Sequence, residues 1–172
     1  MNDEFERCAK AAQFAIKMEI DGKGYYSMLS SQCRNEVGKR LLSALADSED
    51  VHRQKFENIF EAARSRQAWP SVTLPAAKNV RTIFSEALAE SKPGAAGTAT
   101  EMAAVDKAID MEIKSYDYYL DQSKNAAQGL EKDFYQAVAA EEHVHHMTLL
   151  DYKEYLDDPA AWFVKTEHPS LD

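Results

Sequence analysis

Six residues of this chain have the types and the spacing to hold metal ions: Glu19, Glu49, His52, Glu112, Glu142 and His145. In each half a lone Glu is followed 30 residues later by Glu-x-x-His, and the second set lies 93 residues after the first. Residues three apart on a helix sit about 60° apart around its axis, so the Glu and His of each pair can face one ion. Carboxylate oxygen with imidazole nitrogen suits iron or manganese. Four carboxylates with two imidazoles are the set a four-helix bundle uses to hold two ions in its core. Two divalent ions neutralise the four negative charges, which removes the electrostatic obstacle to burying them. The expected arrangement has Glu49 and Glu142 bridging the ions, Glu19 and Glu112 capping one each, and one of His52 and His145 on each.

A single Glu-x-x-His would be weak evidence, because 16 Glu and 5 His in 172 residues give about half a match by chance. The repeat is wider than the ligands. Residues 15–26, AIKMEIDGKGYY, agree with residues 108–119, AIDMEIKSYDYY, at seven of twelve positions. ADSEDVH at 46–52 lies over AAEEHVH at 139–145, sharing Ala, Glu, Val and His.

Two ions held this close can pass two electrons to an O–O species, which points to reduction of peroxide or dioxygen, or to oxidation of ferrous iron. Metal-assisted hydrolysis is the other use of paired ions, but no motif indicates a substrate pocket for it. Tyr26 and Tyr119 follow Glu19 and Glu112 by seven residues and share their faces. They are expected either to hydrogen-bond a ligand carboxylate or act as redox-active phenols, or to serve simply as core aromatics. His146 is an alternative to His145, since i+4 shares the same face. His143, Asp50, Asp110 and Glu141 read as surface groups, and His168 has no evident partner.

Four amphipathic stretches must position these residues. Ala12, Ala15, Ile16, Glu19, Gly22, Tyr26 and Leu29 form the stripe of residues 5–30; Leu42, Leu45, Ala46, Glu49, His52, Phe56, Ile59 and Phe60 that of 36–65. Val105, Ala108, Ile109, Glu112, Tyr116 and Tyr119 follow in about 100–125, then Tyr135, Val138, Ala139, Glu142, His145, Leu149 and Tyr152 in about 130–156. All recur at helical spacing. Ligands at equal height on antiparallel helices must be equally far from the turn, which places the turns near 34, in SSQCRNE, and 127, in NAAQG. Asn125 and Gly129 are stop signals there. The fold class expected is all-α: a ferritin-like four-helix bundle of two helical hairpins, residues 5–65 and 100–156, in a single domain spanning 1–172. A long crossover, 66–99, containing Trp69-Pro70, Pro75, a short helix near 79–91 and KPGAAGT, lets the second hairpin pack parallel to the first. In the tail, 157–172, Trp162 and Phe163 are expected to dock on the bundle or on a neighbouring subunit.

Composition narrows the class. The net charge of −9 argues against nucleic acid as a partner, since phosphate binding needs clustered Lys and Arg. No apolar run reaches the roughly 18–20 residues of a membrane span, and MNDEFERCAK lacks the apolar region of a secretion signal, so no membrane partner and a cytoplasmic location are expected. Cys8 and Cys33 stand alone and read as free thiols.

With these residues in place, the chain resembles the di-iron domain of rubrerythrins in the ferritin-like superfamily. The resemblance rests on AIKMEIDGKGYY and AIDMEIKSYDYY with their downstream Glu-x-x-His pairs, and covers about residues 5–156. The ending DPAAWF…EHPSLD is similar to tails of rubredoxin-free members. The resemblance implies two iron ions on the six ligands, hydrogen peroxide reduction and a homodimer. Three features depart from the family pattern. No four-cysteine rubredoxin domain is present, so the electron donor is expected to be a separate protein. Ser115 stands where an extra carboxylate follows the third-helix Glu, leaving a symmetric site like that of bacterioferritin, without the Met that would ligate haem. The crossover is longer, which bears on the oligomer. The functional expectation is a non-haem di-iron oxidoreductase acting on peroxide or dioxygen; the alternatives are a ferroxidase or iron-storage protein, and a metal-binding bundle without turnover.

Overall fold

The computed structural model describes residues 2–71, 74, 80–92, 94–126 and 129–167. Six helices and no strand occur among them: α1 Asn2–Gln32, α2 Glu36–Arg64, α3 Val80–Ala89, α4 Ala99–Asn125, α5 Leu130–Asp157 and α6 Pro159–Glu167. The chain is therefore all-α, with α1 packed on α2, α4 on α5, and the two hairpins joined by the crossover. Helix α3 lies against both α2 and α5, burying Val80, Phe84 and Ala87.

Local chemistry sets the hairpin ends. Between α1 and α2, the Asn35 side chain accepts from Gly38 N at 2.6 Å and starts α2. Only glycine fits at position 38, because a Cβ there would overlap the Tyr152 hydroxyl and Cys33 Sγ. Thr98 and Glu101 form a capping box that starts α4, which satisfies two otherwise orphaned backbone donors. Gly129, at φ +98°, supplies the left-handed residue before α5. The expected turn midpoint 127, Pro75 and Asn79 of the expected short helix, and His168 lie outside the described residues.

The ligand positions divide the core into two apolar clusters. On one side are Leu29, Leu41, Leu42, Leu45, Val105, Leu149 and Leu156, with Tyr26, Tyr152 and Phe84. On the other are Phe56, Tyr119, Phe134 and Tyr135, with Ala12, Ala15, Ile59, Val138 and Ala139. Every one of the four long helices passes from one cluster through the ligand layer to the other. The tail helix α6 docks on the bundle: Trp162 lies 6.3 Å from Phe84 and Phe163 lies 6.3 Å from Tyr155, ring centre to ring centre.

The 93-residue repeat persists as a pseudo-twofold axis in the contacts between hairpins. Tyr25 donates to the Ala104 carbonyl at 2.9 Å, and its counterpart Tyr118 donates to the Ala11 carbonyl at 3.0 Å. Where residue types change, the contact survives in another form. Lys23 pairs with Asp50 at 2.8 Å, while at the equivalent positions the rings of Tyr116 and His143 meet at 5.6 Å. Lys107 sits 4.5 Å over the Tyr25 ring, and Phe14 packs 4.9 Å from the ring of Tyr118. The backbone arrangement is thus duplicated while surface chemistry has diverged.

Candidate metal centre

All six sequence-selected residues meet in the middle of the bundle, none more than 4 % exposed. They form two overlapping groups, Glu19, Glu49, His52 and Glu142, and Glu49, Glu112, Glu142 and His145, whose ligand atoms lie within 4.8 Å of one another. Glu49 and Glu142 belong to both groups, as bridging carboxylates would. Each group has one further carboxylate and one imidazole of its own.

Both imidazoles turn Nδ1 inward and Nε2 outward. His52 Nδ1 lies 3.1 Å from Glu142 Oε1 and 3.5 Å from Glu19 Oε2. His145 Nδ1 lies 3.4 Å from Glu112 Oε2 and 3.5 Å from Glu49 Oε1. The rings stack 5.8 Å apart. The tyrosines cross between hairpins: Tyr26 Oη donates to Glu112 Oε1, and Tyr119 Oη donates to Glu19 Oε1. Each doubled YY therefore does two jobs, one tyrosine clamping the opposite backbone and the next holding the opposite carboxylate.

Electrostatics shows how awkward this cluster is without a cation. Burial, then the charges of Glu142 and Glu19, hold Glu49 well above the usual carboxylate range. Burial and Glu112 do the same to Glu142. Burial also opposes ionisation of Glu19 and Glu112, yet their polar partners prevail: Glu49 and His52 lower Glu19, while the charge and hydrogen bond of His145 lower Glu112. His52 is raised well above its ordinary value because, although burial opposes its charge, the bond to Glu141 and the nearby carboxylates of Glu142 and Glu19 prevail. Tyr26 and Tyr119 are pushed up by burial and by the carboxylates they serve.

The buried atoms fit metal ions. Glu19 Oε2, Glu112 Oε2, both Glu142 oxygens, His52 Nδ1 and His145 Nδ1 are buried without a hydrogen-bond partner. Unpaired buried polar atoms cost about 1–3 kcal/mol each, more when charged. Here they point at common centres, and an oxygen–nitrogen donor set without sulfur is one that iron or manganese takes. The chain thus carries a buried carboxylate–histidine cluster able to hold metal ions.

Other sequence expectations sort cleanly. His146 is not in either ligand group; it lies partly buried with its ring 6.3 Å from that of exposed His143. Cys8 and Cys33 are free and buried; burial and Glu131 push the Cys8 thiol up to about 11. Asp50 is a partly exposed residue tying α1 to α2 through Lys23, and Asp110 is exposed. Glu141 needs correction. It is not merely a surface charge: its Oε2 bonds His52 Nε2 at 2.9 Å. Ser48, absent from the expected site, bonds His145 Nε2 at 3.0 Å. Positions 48 and 141 are themselves related by the offset of 93, so the repeat could have flagged them as a pair. Sequence inspection also gave no hint of the half-buried pair Arg7–Glu131, at 2.8 Å, which ties the starts of α1 and α5.

Among the described residues no helix is long and apolar enough to cross a membrane. No curated protein and no solved structure matches the chain. Residues 11–95 match the rubrerythrin family model, a stretch that includes Glu19, Glu49 and His52 and ends before α4. The second hairpin supplies their counterparts through the repeat. The family match, the two helical hairpins and the central carboxylate–histidine cluster are together consistent with a rubrerythrin-like protein of the ferritin-like class.

Proposed function

We propose that the chain is a non-haem di-iron oxidoreductase that reduces hydrogen peroxide, with electrons supplied by a separate redox protein. The observation that carries this reading is the pair of overlapping buried ligand groups with their unpartnered inward atoms. Glu49 and Glu142, common to both groups, would be shared between the two ions. Glu19 with His52 would hold one ion, and Glu112 with His145 the other. When bound, the iron pair supplies the two electrons that split a peroxide O–O bond, and two protons are taken up to give water.

The protein's own groups do the positioning. Tyr26 and Tyr119 fix the rotamers of Glu112 and Glu19, leaving one oxygen of each directed inward. Raised phenol values keep the proton on each Oη at neutral pH. The flanking apolar clusters exclude bulk water, so the ligand field is set by fixed groups rather than by fluctuating solvent. Exposed Phe14, Ile20 and Met28 on α1 and Ile113 on α4 support association of two copies, which light scattering in solution tests.

Anaerobic reconstitution with ferrous iron followed by rapid mixing with peroxide or with dioxygen tests the reading. Two ions per chain and faster oxidation by peroxide are expected. Failure to bind iron would refute the centre; binding without oxidation would leave a structural metal site. Ferroxidase or storage function is the second reading, since the same ligand set oxidises ferrous iron. Mineral accumulation in a large assembly would favour it, whereas peroxide consumption by a dimer without mineral would exclude it.

A further inference from the structure

The pseudo-twofold that relates the six clustered residues and both site tyrosines is broken at the outer partner of each histidine. His52 Nε2 meets the carboxylate of Glu141 at 2.9 Å, and His145 Nε2 meets the hydroxyl of Ser48 at 3.0 Å. The two partners occupy equivalent positions in the repeat and differ in charge and in hydrogen-bonding capacity.

An ionised carboxylate only accepts. It therefore requires the proton of a neutral imidazole to sit on Nε2, which leaves the Nδ1 lone pair of His52 facing the cluster. It also lends the ring negative charge, strengthening it as a donor; such outer partners are typically worth 10–100-fold in metal affinity. A hydroxyl donates as readily as it accepts. Ser48 is therefore compatible with either tautomer of His145, including the one whose protonated Nδ1 cannot bind a metal, and it adds no charge.

Solvent access differs in the same sense. A groove of about 700 Å³ between α2, α3 and α5 is lined by Ser48, Glu141 and His145, together with Arg40, Val80 and Val144. His52 is not among its lining residues and is fully buried. The groove thus reaches one histidine of the pair, the one with the weaker outer partner.

We propose that the two metal positions are unequal: the His52–Glu19 position loads first and retains its ion, and the His145–Glu112 position, bordering the groove, is the exchangeable one. Glu141 and Ser48 are the positioning residues that create the difference. This inference rests on the di-metal reading above, and it assigns the groove as the side from which the second ion enters and leaves.

Titration of the metal-free full chain with Co(II), followed by its visible absorption, is expected to show two steps separated by roughly 10-fold or more. Crystals grown with one equivalent should place the anomalous peak beside His52 and Glu19. Glu141→Gln, which can accept the same hydrogen bond without the charge, should weaken the first step and leave the second. The double exchange Ser48→Glu with Glu141→Ser should move the peak to the His145 half. Two ions bound with one affinity, a first peak beside His145, or an exchange variant that keeps the wild-type order would each overturn the proposal while leaving the di-metal centre intact. A wild-type chain that binds no cobalt and no iron would instead refute the centre itself.

Discussion

The two hairpins present the same face to the centre of the molecule and different faces to everything behind it. Toward the cluster they are interchangeable: Glu19 and Glu112, Glu49 and Glu142, His52 and His145, Tyr26 and Tyr119. Behind it, Phe56 of α2 corresponds to Leu149 of α5, and the aromatic pair Phe134 and Tyr135 corresponds to Leu41 and Leu42. One end of the bundle is consequently a stack of rings, with Phe56 5.3 Å from Tyr119 and Tyr135 5.9 Å from Trp69. The other end sets leucines at these positions, among rings that include Tyr152, Tyr155 and Phe84. Packing needs only apolar volume of the right shape and tolerates such changes. A ligand set depends on atom type and direction, and does not.

The comparison is broken most severely at the shared carboxylates. Glu49→Ala and Glu142→Ala should each lower the metal content from two ions to one or none, and should lower the holo-protein's melting temperature equally. Metal analysis with calorimetry checks this. Unchanged content in both variants would refute the bridging assignment, and a large inequality would show that the halves differ at the inner ligands as well.

The metal-free protein should respond to pH through the same groups. Glu49, Glu142 and His52 are raised on folding, so the folded chain holds protons that the unfolded chain releases. Their contribution is complete below the unfolded values and is lost as pH rises through the folded ones. Stability without metal should therefore fall as pH climbs from about 5 toward 8. Glu19 and Glu112 are lowered, and their contribution is lost only in the acid range below the ordinary carboxylate value of 4.5. Metal displaces the protons of the raised groups, so added Mn(II) should stabilise more at high pH than at low. Melting temperatures that rise with pH in chelator would contradict the account.

Smaller effects sharpen the symmetry. Tyr26→Phe and Tyr119→Phe each leave one oxygen of Glu112 or Glu19 unpartnered, at a cost of about 1–3 kcal/mol. Near-equal losses in denaturant melts are expected, because the two bonds are equivalent. A loss confined to Tyr119→Phe would mean that the aromatic end, rather than the carboxylate, sets the energy. Tyr25→Phe and Tyr118→Phe remove partly buried bonds to backbone carbonyls, worth about 0.5–1.5 kcal/mol each, and should leave metal binding unchanged.

The six clustered residues and the elements carrying them were legible in the sequence for a local reason. Helical periodicity fixes which residues share a face, so Glu49 and His52 had to point together wherever α2 went. Spacing from the turn fixes height, so Glu19 had to meet Glu49, and Asn125 and Gly129 marked where the second hairpin reverses. The 93-residue repeat then supplied the second half of the centre, and in the same way distinguished Glu142 from its neighbour Glu141.

What lies between hairpins was decided by the tertiary structure. Tyr26 could be placed on the ligand face from its spacing, but its partner is Glu112, 86 residues away, rather than Glu19 of its own helix. Glu141 read as a surface charge, and its side chain is 40 % exposed, yet the approach of α5 to α2 brings it to His52. The groove beside His145 likewise exists because α3 lies across α2 and α5, a placement no periodicity encodes. Sequence patterns along one helix specify directions about its own axis. Distances across the seam depend on how two rigid hairpins settle against each other, and there the equal halves acquired unequal partners.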